Sequence, residues 1–189
     1  MAPVAFITNE QGGHAERSAG YAPIPGVRVL GLTGAARHGK DTAAAAIVAV
    51  TPGAKVYALS DAISVVCRVF HGMTRRDPPL LQRVGFDQRL HDPAVWLDAL
   101  YWKIDEDRPP LAIITGVRFP DEADMVRFMG GTVIRIRRVT DHGLPYTATD
   151  RDPAHPVEQH MQGIPVADEW LNEDGHPERL VKQARAWAA

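Results

Sequence analysis

The chain predicts a parallel three-layer α/β/α sandwich, and three observations carry that prediction. Residues 27–33, Val-Arg-Val-Leu-Gly-Leu-Thr, form an apolar run that leads straight into Gly34-Ala35-Ala36-Arg37-His38-Gly39-Lys40-Asp41-Thr42, and an alanine-rich segment follows to Val50. After this strand–loop–helix unit, apolar runs alternate with helical periodicities to the C-terminus, the order that builds a parallel sheet with helices on both faces. The run Leu111-Ala112-Ile113-Ile114-Thr115 is apolar without alternation, the mark of a strand covered on both sides.

The elements follow in order. Residues 1–26 are rich in Gly, Ala, Pro and polar residues, and read as a poorly ordered extension before a domain that begins near Val27. The first helix runs from about Asp41 to Val50 and stops at Thr51-Pro52-Gly53. Residues 54–59 read as a second strand. Ser60 or Asp61 then caps a helix with Ile63, Val66, Cys67 and Phe70 on one stripe and Gly72 as its stop. Arg75-Arg76-Asp77-Pro78-Pro79 breaks the chain before a short helix, 80–90. Asp92-Pro93 opens a longer helix carrying Trp96, Leu100, Lys103 and Ile104, which ends at Arg108-Pro109-Pro110. Beyond the strand 111–115 come a helix around 121–129, a strand 132–137, a polar stretch 139–164 that reads as a lid, a short strand 166–171 and a closing helix 177–188. There are no internal repeats.

Two glycines five positions apart with a lysine directly after the second have a mechanical meaning. A loop that wraps a phosphate must turn successive backbone N–H groups inward, and side chains at its hinges would block the approach. The following helix adds its N-terminal partial charge, and the lysine reaches the β- and γ-phosphates. The segment Gly34, Ala35, Ala36, Arg37, His38, Gly39, Lys40, Asp41, Thr42 is therefore read as a nucleoside-triphosphate site. The residue after such a lysine is usually the Ser or Thr that ligates Mg²⁺; here it is Asp41, with the hydroxyl one later at Thr42. Both are candidate metal ligands, since Mg²⁺ takes oxygen donors and keeps several waters. A plain helix N-terminal carboxylate is the alternative for Asp41.

Composition narrows the rest. The 189 residues are enough for one ordinary domain, and a net charge of −2 gives no reason to expect nucleic-acid or membrane attraction. A single cysteine, Cys67, excludes an internal disulfide framework and suits a reducing compartment. With no secretory signal, the expected location is the cytoplasm. Arg118, just past the strand 111–115, would point into the ligand crevice or pair with Asp121 or Glu122. Arg138 and Arg151 border or lie in the lid and are better candidates to reach the phosphates than Arg135 and Arg137, which alternate on a strand. His155, Glu158 and His160 lack zinc spacing. The Arg75-Arg76 pair is either an anion site or a solvated turn.

Several stretches together resemble the deoxynucleoside monophosphate kinases of bacteriophages, which belong to the adenylate-kinase-like P-loop fold. They are Gly39-Lys40-Asp41-Thr42, Leu81-Gln82-Arg83-Val84-Gly85 with Arg89 and Trp96, Val117-Arg118-Phe119-Pro120-Asp121-Glu122, His155-Pro156-Val157-Glu158, and the turn Asn172-Glu173-Asp174-Gly175. The resemblance implies Mg²⁺-dependent transfer of the γ-phosphate of ATP to a deoxynucleoside 5′-monophosphate for dNTP supply, in the host cytoplasm if the gene is a phage's. It implies acceptor-binding helices over about 60–105, with Arg75, Gln82, Arg89 and Trp96 as acceptor-binding candidates, and Lys40, Arg118, Arg138 and Arg151 as the catalytic cations. A homodimer is compatible with it. Trp96 is equally readable as core packing. Gly116 departs from the pattern, standing where the family has an aspartate. Animal phosphomevalonate kinases share the Gly-Lys-Asp loop, so a non-nucleotide phosphate acceptor remains open, as does a regulator that binds nucleotide without transferring phosphate.

Overall fold

The computed structural model describes residues 20–147 and 156–189. The expected lid residues 148–155, with Arg151 and His155, and the extension up to residue 19 lie outside the described residues. Five strands, β1 (Arg28–Thr33), β2 (Lys55–Ala58), β3 (Leu111–Val117), β4 (Thr132–Val139) and β5 (Asp168–Glu173), form one sheet in the order β2-β3-β1-β4-β5. Every pairing in it is parallel. The helices among the described residues are α1 (Lys40–Val48), α2 (Asp61–His71), α3 (Pro78–His91), α4 (Val95–Asp107), α5 (Pro120–Phe128), α6 (Pro156–Gly163) and α7 (Glu178–Ala188).

Period-two alternation sorts the strand side chains onto two faces. Leu30, Leu32, Leu111, Ile113, Ile134 and Ile136 pack with α1 and α7 through Ala43, Ile47 and Leu180. Ala112, Ile114, Val117 and Val133 pack on the other face with α4 and α5 through Leu100, Ile104, Met125 and Val126. These are the two cores of a three-layer sandwich, as expected. A third, small cluster of Cys67, Leu81 and Val84 belongs to α2 and α3 alone. Cys67 is fully buried there, as its place on the apolar stripe foretold.

The expected boundary at residue 27 falls late. Ile24 is 3% exposed within the α4/α5 core, and the Tyr21 hydroxyl donates to Asp98 at 2.6 Å. Apolar residues amid polar ones hid this segment from composition. The stretch 139–164 is likewise not uniformly irregular, since α6 occupies its end. Arg135 caps that helix, donating from Nη2 to the carbonyls of Met161, Gln162 and Ile164 at 3.1, 3.1 and 2.7 Å, where the helix dipole favours a cation. No described helix is long and apolar enough to cross a membrane.

Candidate active site

β1 is the central strand. Its exit leads through α1 to one face, while its neighbour β3 exits through α5 to the other, so their carboxyl ends open a crevice between them. The phosphate loop, residues 34–39, stands at that crevice. Gly34 has φ 131° and Gly39 φ 105°, in the region that favours glycine. At Gly34 space demands glycine as well. A Cβ on Gly34 would lie 2.4 Å from the Ile136 carbonyl oxygen, and one on Gly39 would lie 2.6 Å from Asn172 Nδ2. Lys40 opens α1, and its Nζ donates to the carbonyls of Gly34 and Ala35 at 2.6 and 2.7 Å, which lays the ammonium across the loop.

Asp41 and Thr42 are exposed on the first turn of α1. A carboxylate and a hydroxyl on one solvent-facing turn form an all-oxygen donor set, which fits Mg²⁺ and leaves room for the waters it retains. Among the described residues no group of three or more His, Cys, Asp or Glu side chains could hold a metal by itself.

On the far side of the crevice, β3 pairs Leu32 with Thr115 but Thr33 with Val117, so Gly116 is an extra residue in the strand. Thr33 Oγ1 donates to the Val117 carbonyl at 2.7 Å beyond this bulge. Gly116 has φ 80° and open space where a Cβ would be. Where the kinases it resembles carry an aspartate, the chain turns here through a conformation natural to glycine. Arg118 follows, half-buried, with its backbone N–H donating to Glu122 Oε2 at 2.6 Å.

The acceptor candidates fare unequally. Arg89 was expected to meet a phosphate, but its guanidinium is turned onto two carboxylates, Asp121 at 2.6 Å and Glu122 at 3.1 Å, and stacks 4.5 Å from the centre of the Phe119 ring. Glu122 is 5% exposed, and burial raises its pKa to about 7 against the opposing pull of the Arg118 and Phe119 N–H groups and of Arg89. Trp96, expected as a base-stacking or core residue, is the latter. It is 6% exposed, and its indole N–H donates to the Gly85 carbonyl at 3.0 Å, joining α4 to α3. Gln82 is exposed on α3. Arg75 lines an open concavity of about 460 Å³ with His71, Arg76 and Asp77, and no phosphate-loop residue borders it.

Arg138 is placed beside the phosphate loop but does not reach over it. Its guanidinium pairs with Asp174, donates from Nη1 to the Arg37 carbonyl at 2.8 Å and lies 4.1 Å from the centre of the Tyr146 ring. The residues after β4 fold back to make this possible, with the Tyr146 N–H donating to the Arg138 carbonyl at 3.0 Å. Three residues that the sequence did not single out for a role, Tyr146, Asn172 and Asp174, thus border the loop. For the last two, the Asn172–Gly175 turn was the available signal.

No protein-family model and no curated protein matches this chain. Among solved structures, the chain is similar to an unliganded sugar kinase from a Janibacter species, at 14% identity over 85% of this chain and 94% of that one, with a TM-score of 0.47. It is also similar to the tunicamycin resistance protein of Deinococcus radiodurans, at 13% identity over 89% of this chain and 96% of that one, with a TM-score of 0.48.

Proposed function

We propose that the chain is an ATP-dependent phosphotransferase whose acceptor is itself a phosphate, namely a deoxynucleoside 5′-monophosphate. The observation that carries the triphosphate side of this reading is the loop at the end of the central strand: two glycines at positive φ, Gly34 pressed against a strand carbonyl, and Lys40 lying across the loop carbonyls; the acceptor follows from the sequence resemblance. Such a loop presents backbone donors to a polyphosphate, and an incoming β/γ-phosphate would draw the ammonium off carbonyls it holds only by default.

In this reading Lys40 and the loop N–H groups hold the β- and γ-phosphates. The bond from the γ-phosphorus to its bridging oxygen breaks as an oxygen of the acceptor phosphate forms its bond to that phosphorus, and ADP leaves. No base is needed, because the acceptor oxygen is already anionic near neutral pH. Arg118, at the other lip of the crevice, neutralises charge on the group in flight, with Arg151 as the second candidate cation. Mg²⁺, held through Asp41 and Thr42, would supply the screening of the β/γ oxygens.

The test is an ADP-release assay across the four common deoxynucleoside monophosphates and phosphomevalonate, with wild type and Lys40→Ala. Transfer to a deoxynucleoside monophosphate that falls by about 10²-fold or more in Lys40→Ala supports the reading. Lys40→Ala turning over at the wild-type rate removes it. Turnover of phosphomevalonate alone transfers the site to a non-nucleotide acceptor, and ATP binding without transfer to any acceptor makes the chain a regulator.

A further inference from the structure

The corner of the phosphate loop carries strain without an intrinsic reason to keep it. Arg37 is not glycine, yet it sits at φ 63°, in the left-handed region. A conformation of that kind is strained and persists only where its surroundings over-determine it. Those surroundings are side chains reaching in from β4, β5 and the turn after β5. Arg138 Nη1 donates to the Arg37 carbonyl at 2.8 Å, and Asn172 Nδ2 donates to the His38 carbonyl at 2.9 Å. The His38 ring then lies between two strand-side carbonyls, with Nδ1 3.1 Å from Ile136 O and Nε2 3.3 Å from Tyr146 O.

We propose that Arg138 and Asn172 are positioning residues that pre-form the phosphate loop by gripping its outward carbonyls, and that neither touches the phosphates. The inference rests on the triphosphate-binding reading of the loop. Its logic is that of the planar trans peptide, in which C=O and N–H point in opposite directions. Pulling the His38 carbonyl towards β5 turns the Gly39 N–H away from β5. Holding the Arg37 carbonyl outward leaves the His38 N–H to close the loop on Ala35 O at 3.3 Å. Asp174 completes the device by pairing with Arg138, so that the guanidinium is held at the carbonyl and its charge is balanced. Gly39 fits the same picture, because Asn172 and Leu180 press so close that a Cβ would meet them at 2.6 and 2.9 Å. A loop built this way binds a triphosphate without first being ordered by it, which is the advantage of preorganisation.

The experiment measures binding of ATP with Mg²⁺ by titration calorimetry, together with KM for each substrate, for wild type, Asn172→Ala, Arg138→Met, Arg138→Lys and the pair Arg138→Met with Asp174→Asn. Loss of a tie at the strained corner is expected to weaken ATP binding by about tenfold. KM for ATP should rise with it, while KM for the acceptor and the melting temperature without nucleotide stay close to wild type. Arg138→Lys, which keeps a donor and a charge but cannot serve Arg37 O and Asp174 together, should recover part of the loss. The charge-balanced pair should still bind ATP more weakly than wild type. Variants that bind ATP like wild type overturn the inference and leave the kinase reading standing. So does a rise of both KM values in step with a fall in melting temperature, which marks a merely structural role. A wild-type protein that binds ATP but transfers no phosphate sinks the kinase reading and leaves this inference intact, whereas one that binds no triphosphate overturns both.

Discussion

The phosphate loop and the helices α2 and α3 are held by opposite means. At the loop, backbone carbonyls are gripped by side chains from β4 and β5, and a strand carbonyl stands so close that glycine alone fits at position 34. The helical region instead has a small core of its own, and it leaves Val65, Val69, Phe70, Phe86 and Leu90 exposed. Much of its polar fastening to α5 is concentrated in one arginine, Arg89, on Asp121 and Glu122. A region fixed by backbone geometry on every side holds one shape; a region fixed by a few side chains can shift as a body when that fastening changes. Under the proposed kinase reading, such a contrast would hold one substrate's phosphates in place and let the other substrate be brought to them.

The largest effect should come from forcing a side chain into the fixed region. Gly34→Ala places a Cβ 2.4 Å from a strand carbonyl at a φ of 131°, so the strand or the loop must move. An alanine at that φ is strained by about 1–3 kcal/mol before the clash is counted. We expect ATP binding to fall below detection by calorimetry while circular dichroism still reports a folded α/β protein. Tight ATP binding in Gly34→Ala would show that the loop tolerates displacement, and the contrast between the regions would collapse.

Arg89 tests the other side. Its removal leaves Glu122, whose side chain is 7% exposed, without its cation. Breaking a fully buried pair from one side costs about 3–5 kcal/mol, and less here because a fifth of the Arg89 side chain is exposed. Arg89→Ala should therefore lower the urea midpoint, and it should do so with no substrate present. An unchanged midpoint together with a higher KM for the acceptor would return Arg89 to the phosphate-binding role that its charge and position suggest.

How far the sequence could see divides along the same line. β1, the loop and α1 were legible because glycine and lysine spacing is a local code for a local shape, and Leu111–Thr115 was legible because a strand covered on both faces needs no alternation. The ties that hold the loop were not. Arg138 reaches a carbonyl 101 residues away and Asn172 one 134 residues away, and no local pattern announces such pairs. The partners of Arg89 were hidden for a related reason: a cation on a helix looks available until the carboxylates 32 and 33 residues downstream are in place. Trp96 was ambiguous because stacking on a base and packing on Gly85 both call for a large ring. α6 was hidden by the proline and histidines around its start, which break the periodicity that reveals longer helices.

The smallest effect is a pH slope, and it isolates the fastening on the helical side. Burial raises the pKa of Glu122 from 4.5 to about 7. In the unfolded chain the group loses its proton near the ordinary value, while in the folded chain it keeps it longer. Between those two pH values the folded state binds more protons than the unfolded one, so this group's contribution to stability falls as pH rises from about 4.5 to about 7 and is level above that. The slope from a single group cannot exceed about 1.4 kcal/mol per pH unit. Glu122→Gln keeps an amide oxygen to accept from the Arg118 and Phe119 N–H groups and removes the titration. Its stability relative to wild type, from urea unfolding at pH 5, 6 and 7, should therefore improve with rising pH, although Arg89 has lost a charged partner. A relative stability that stays level from pH 5 to 7 would mean that the ion pair with Arg89 outweighs burial and that Glu122 is ionised throughout. The helical region would then be fastened by full charges, closer in firmness to the phosphate loop than its few ties suggest.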